Sequence, residues 1–128
     1  MISERGSAAI LLLGVAGLVV VLTIGVADVG LALGARLQAA AAADAAALAA
    51  APVTFRPFGA EGSPASEAGR LAAANGTVLV SCRCPIDRSW RGRVVEVHVE
   101  RRVALLGFGS ITVRASSRAE FAPALLLQ

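Results

Sequence analysis

Between Gly6 and Ala27 the chain carries no charged residue, and only Ser7 and Thr23 bring polar side chains into the run. A helix needs roughly 20 apolar residues to cross about 30 Å of hydrocarbon. It also satisfies its own backbone hydrogen bonds, which lipid cannot do. These 22 positions therefore read as a membrane-spanning helix. A secretory signal peptide is the rival reading. Its apolar core is about 7–15 residues, shorter than this run, although Ala-x-Ala sequences around Ala39 to Ala43 would suit cleavage. An uncleaved anchor is the expectation.

No helix breaker follows the run. Charge returns at Asp28-Val29-Gly30, and Leu31 to Ala51 is built from strong helix formers, chiefly alanine and leucine. Pro52 supplies a stop. One helix from about Ser7 to Ala51 is expected, with its first half in lipid and its second half projecting outside. The organisation is a short cytoplasmic segment 1–6, a transmembrane helix 7–27, its extension 28–51, and a small exported head 52–128. The positive-inside count is a tie between Arg5 and Arg36. The very short N-terminal flank places the N-terminus inside and the head outside.

On the extension, Leu33, Leu37 and Leu48 fall near one face. The expectation is that this stripe packs on the head and leaves the alanine faces for partners. Asp44 sits amid alanines, where a lone carboxylate is costly to bury, so a basic partner is expected for it. Gly30 and Gly34 form a G-x-x-x-G pair, a spacing that permits close helix packing in lipid; the bland alternative is chance in a Gly/Ala-rich helix.

The second half reads as α+β. Pro52, Pro57, Gly59, Gly62 and Pro64 mark a loop. Ser63-Pro64 reads as N-cap and first helical position, with Asn75-Gly76 closing a short helix at about Ala74. Val78, Val80, Cys82 and Cys84 share one face of a first strand. Val95, Val97 and Val99 alternate with Glu96, His98 and Glu100 in a second; Ile111, Val113 and Ala115 alternate with Thr112, Arg114 and Ser116 in a third. Turn signals lie at Pro85 to Gly92 and at Gly107 and Gly109. A three-stranded antiparallel sheet with one solvated face follows. The fold class is thus α+β and pilin-like: a long N-terminal transmembrane helix continuing into a small head with one short helix and that sheet. A head of this size is marginal alone, and the outer half of the long helix is its natural cover.

Composition narrows the function. With 56% hydrophobic and 16% charged residues the chain is not of the disordered class. Its 28 alanines, four phenylalanines and absent tyrosine do not make a large aromatic core. The net charge of +3 comes from scattered arginines, which gives no groove for nucleic acid. Glu96, His98, Glu100, Cys82 and Cys84 include metal-ligand types, yet one histidine and one close cysteine pair match no usual metal site. Cys82 and Cys84 lie about 6.6–6.8 Å apart on an extended strand, at the limit of disulfide reach. A bond needs a distorted strand end, and free thiols or an interchain bond are the alternatives. Arg88, Arg91 and Arg93 around Trp90 read as a solvated hairpin tip. No nucleophile elbow, P-loop or dinucleotide fingerprint is present. No enzyme, cofactor or small-molecule substrate is expected.

Arg5-Gly6-Ser7-Ala8 opening an apolar run, then Asp28-Val29-Gly30, Arg36-Leu37-Gln38 and the alanine stretch from Ala43-Asp44 to Ala51, resembles the N-terminal segment of TadE/TadG-like pilus-assembly proteins. Ala74-Asn75-Gly76, the cysteine strand and the valine-rich strand look like the short subgroup called helicase/secretion-neighbourhood TadE-like proteins. The resemblance implies a single-pass minor pilin or pseudopilin of a Tad (Flp, type IVc) pilus or secretion apparatus in the cytoplasmic membrane. It implies membrane lipid and other Tad proteins as partners, and marks Asp28, Gly30, Gly34, Arg36, Gln38 and Asp44 as packing and motif positions. The other reading is an anchored extracytoplasmic binding module unrelated to pilus assembly. Many TadE-like pseudopilins carry a glycine followed five residues later by glutamate at the peptidase site. Here Leu11 stands five residues after Gly6, so little processing after Gly6 is expected.

Overall fold

The computed structural model describes residues 3–55 and 62–128; the loop positions Pro57 and Gly59 lie outside the described residues. The first element, α1 (Ser3–Val53), is one uninterrupted helix of 51 residues, about 76 Å long at 1.5 Å per residue. Its stretch from Gly6 is long and apolar enough to cross a membrane. Pro52 falls in its last turn. The chain leaves through tightened bonds: Thr54 N–H donates to Ala51 O at 3.2 Å and Phe55 N–H to Pro52 O at 3.1 Å.

The next helix, α2 (Pro64–Ala74), starts with a capping box. Ser63 Oγ accepts from Ser66 N–H at 3.0 Å, and Ser66 Oγ accepts from Ser63 N–H at 3.1 Å. It ends at Asn75, whose side chain donates to Leu71 O at 2.8 Å. Gly76, at φ +71°, makes the left-handed turn that glycine adopts without a Cβ penalty.

Three strands follow as an antiparallel meander in the order β1 (Val78–Arg83), β2 (Arg93–Ala104), β3 (Ser110–Phe121), and a short 3₁₀ helix, Pro123–Leu127, closes the chain. The α+β layout read from the sequence is therefore the observed one. β2 and β3 each hold 12 residues, so at about 3.4 Å per residue their hairpin is roughly 40 Å long and runs beside much of α1.

One reading of β1 is corrected. Its register with β2 shifts between Leu79 and Ser81. A bulge adds one residue, and one residue exchanges the faces. Leu79 rather than Val78 or Val80 joins Cys82 and Cys84 against the core, and Val78 and Val80 point outward.

The core corrects the expected facing of α1 as well. Ala35, Ala39, Ala43, Ala46, Ala47, Ala50 and Ala51 are buried against Val95, Val97, Val99, Val113 and Ala119 of the sheet and Ala68 and Ala72 of α2, and Ala42 is buried beside them in the helix. Leu33, Leu37 and Leu48, expected to pack on the strands, are 55%, 73% and 67% exposed. The alanines recur at helical spacing and form a flat strip. β-branched valines already fill the space above the sheet, and a methyl-only strip lets the helix close onto them, where a leucine row would hold it off.

Candidate functional site: the junction of helix and hairpin

The β2–β3 hairpin tip is bonded to α1 where charge returns to the helix. Asp28 is 5% exposed. Its Oδ1 accepts from Leu106 N–H at 2.6 Å and its Oδ2 from Gly107 N–H at 3.0 Å. Both donors lie at the tip of the β2–β3 hairpin, which the Leu105 N–H···Gly109 O bond closes at 2.6 Å. A tight turn points consecutive N–H groups the same way, and a carboxylate has an oxygen for each. Charge-assisted bonds of this kind are roughly twice as strong as neutral ones. Asp28, marked by the sequence as a motif position, thus fastens the hairpin to α1.

Gly107 makes this approach feasible. A Cβ there would sit 2.9 Å from Ile24 Cγ2, closer than packed carbons tolerate, and a tight 3.3 Å from Asp28 Oδ2. Gly107→Ala should push the tip off α1, lengthen both Asp28 bonds and cost about 1–3 kcal/mol, as overpacking does. Thermal unfolding of the detergent-solubilised protein, followed by Trp90 emission, measures this. Ile24→Ala in the same chain should recover most of the loss.

Nearly three turns further along α1, the Gln38 side-chain oxygen accepts from the Arg101 guanidinium of β2. Gly30 and Gly34 face open space: a Cβ on either meets nothing within 4 Å. They line a groove with Leu31, Gln38, Arg101 and Leu106. Arg36 and Asp44 are exposed on the outward side of α1. No ion pair to Asp44 forms among the described residues, so the basic partner expected for it is not met there.

At the far end of the head, Cys82 and Cys84 are joined by a disulfide with their Cα atoms 5.4 Å apart. That is shorter than the spacing of alternate residues in an extended strand, as fits a bond at the point where β1 ends. The Arg88–Arg93 loop is more structured than a solvated tip. Arg93 is 7% exposed and its guanidinium donates to the carbonyls of Thr54 (3.2 Å), Arg91 (3.1 Å), Asp87 and Ser89. It lies 5.5 Å from the centre of the buried Phe55 ring, and Trp90 meets that ring edge-on at 4.9 Å. Arg88 and Arg91 remain exposed. Asp87 braces the loop: Ser89 donates to it from its hydroxyl at 2.6 Å and its N–H at 2.8 Å, and these bonds hold its carboxyl below the usual aspartate range.

Glu96, His98 and Glu100, weighed as metal ligands, are engaged in hydrogen bonds and ion pairs on the outer sheet face. Glu96 takes Arg118 at 3.3 Å, His98 at 3.2 Å and Arg83 at 3.7 Å. The hydrogen bond from Arg118 lowers its pKa first, partly offset by desolvation. Glu100 pairs with Arg114 at 3.4 Å. Cys82 and Cys84 point to the opposite, core-facing side, so the sheet separates the two halves of that constellation.

Sequence reasoning placed Asp28 on a motif without its role, and missed Gly107 and the buried Arg93. The available signal was the Gly107/Gly109 pair flanking Phe108 at the end of a long strand pattern, together with one isolated acid at the border of an apolar run.

Residues 6–53 match the family model for Flp pilus-assembly TadE/G-like proteins. The match ends at the last residue of α1, so it covers the long helix and leaves α2 and the sheet outside. No curated protein and no solved structure matches the chain.

Proposed function

We propose, from the TadE/G-like segment over residues 6–53, that the protein is a single-pass minor-pilin-like or pseudopilin-like structural component of a Tad (Flp, type IVc) pilus or secretion apparatus. The N-terminus lies in the cytoplasm and the head outside. The role is structural, not enzymatic. The observation that carries the reading is the coincidence of the matched segment with one helix that has two uses. Its first part has the length and apolarity of a bilayer span. Its outer part buries an alanine strip inside the head and leaves Leu33, Leu37 and Leu48 uncovered. Three exposed leucines on one face of an otherwise packed helix suit contact with neighbouring subunits. The Cys82–Cys84 disulfide favours an oxidising compartment for the head.

The test is affinity capture of the tagged full-length protein from carbonate-washed membranes. The expected eluate contains other Tad proteins. Leu37→Glu with Leu48→Glu should reduce that recovery several-fold at matched protein levels, with Trp90 emission unchanged. A charge reversal at Arg88 and Arg91 should leave it intact. If the loop variant alone loses partners, the head is the working surface and the binding-module reading replaces this one. Recovery of a shortened protein in the culture fluid would refute the anchor.

A further inference from the structure

We infer that the tip of the β2–β3 hairpin is a second membrane contact, with Leu106 and Phe108 seated in the lipid interface beside the anchor helix. The inference rests on the membrane-anchor reading of α1 and adds a lipid-binding surface to the head. Its first support is depth. The tip meets α1 at Ile24, inside the uncharged run that ends at Ala27. Three residues of helix are about 4.5 Å, which puts the tip within the boundary layer that interfacial apolar groups occupy.

The second support is chemistry. Leu105-Leu106-Gly107-Phe108-Gly109 has no polar side chain. Leu106 and Phe108 are 70% and 76% exposed, and Phe108 opens onto a groove shared with Val21, Leu22, Gly25, Val26 and Val29. The tip is thus continuous with the lipid-facing surface of the span, and lipid chains are the occupant that continuity selects. The third support is polar satisfaction. Polar groups of a turn entering an apolar layer cost less when they are paired, and here three of the five N–H groups from Leu105 to Gly109 are paired: Asp28 accepts from Leu106 and Gly107 while Gly109 O accepts from Leu105.

The experiment places a single tryptophan in the full-length chain, in a Trp90→Phe background, reconstituted in phosphatidylcholine–phosphatidylglycerol vesicles. Phe108→Trp and Leu106→Trp report the tip, Leu12→Trp reports the span, and the unmodified protein reports the head through Trp90. Retention of the protease-resistant head confirms that each variant is folded, and either tip variant suffices. The expected result is loss of emission with bromine-labelled acyl chains and protection from iodide at the tip and at position 12, with the reverse at Trp90. A tip tryptophan quenched by iodide and untouched by bromolipid, while position 12 responds to bromolipid, overturns the inference and leaves the anchor standing. Protection from iodide without bromolipid quenching overturns it too, since protein then covers the tip. No bromolipid response at position 12 overturns the anchor and the inference together.

Discussion

Ala46→Leu should destabilise the head by about 1–3 kcal/mol, whereas Leu48→Ala, two residues away, should change its stability by less than about 0.5 kcal/mol. Leucine is the better core residue on any hydrophobicity scale, so the expectation runs against composition. Ala46 is fully buried, within a cluster that includes Val95, Val97, Val99 and α2; Leu48 is 67% exposed. Three extra carbons at position 46 have no void to enter. They must lift α1 from the sheet, and the lift would be felt along the strip from Ala35 to Ala51. Ala42 is buried to the same degree, so Ala42→Leu combined with Ala46→Leu should take a small head, with only a few kcal/mol to lose, to the edge of unfolding. Protease resistance of the head in reconstituted vesicles, with Trp90 emission as a second probe, measures both. An unchanged digestion midpoint in the double variant would mean that the helix does not form the floor of this core.

The facing of α1 was the part of the fold that pattern alone misjudged. Periodicity identifies a stripe and its width. It does not say which stripe meets the sheet, because that depends on how far apart two surfaces must stand. Helix α2 and the three strands were legible because their signals are local: Ser63-Pro64 and Asn75-Gly76 as caps, and strict alternation around Val95 to Glu100. The bulge between Leu79 and Ser81 was not legible, since Val78-Leu79-Val80 is apolar on both faces and offers no alternation to break. Arg93 was read as one of three loop arginines. Its burial depends on four carbonyls presented by Thr54, Asp87, Ser89 and Arg91, and the first of these is 39 residues away in sequence.

Asp28→Ala should cost about 1.5–3 kcal/mol, because two part-buried backbone bonds lose their charged acceptor at once. The sequence marks Asp28 as the first charge after an apolar run, which is where any anchor helix leaves lipid. Only the 78-residue separation from Leu106, closed by the 40 Å hairpin, turns a border residue into a fastening. Asp28→Asn separates charge from shape. The amide keeps one oxygen to accept and sets its NH₂ against the second N–H, so it should recover less than half of the loss. Asp28→Glu carries the charge on a longer stem into a space where Gly107 already touches Ile24, and should recover little. The consequence extends beyond stability. Without this bond the hairpin is still held by Ala35 and Ala39 against Val113 and by Gln38 against Arg101, so the head should stay folded while its tip swings free of the helix. Amide exchange at Leu106 and Gly107 should then approach the rate of an unprotected chain, while Val95, Val97 and Val99 keep protection factors of several orders of magnitude. Loss of protection at all five amides would mean that Asp28 holds the whole head and not its tip alone.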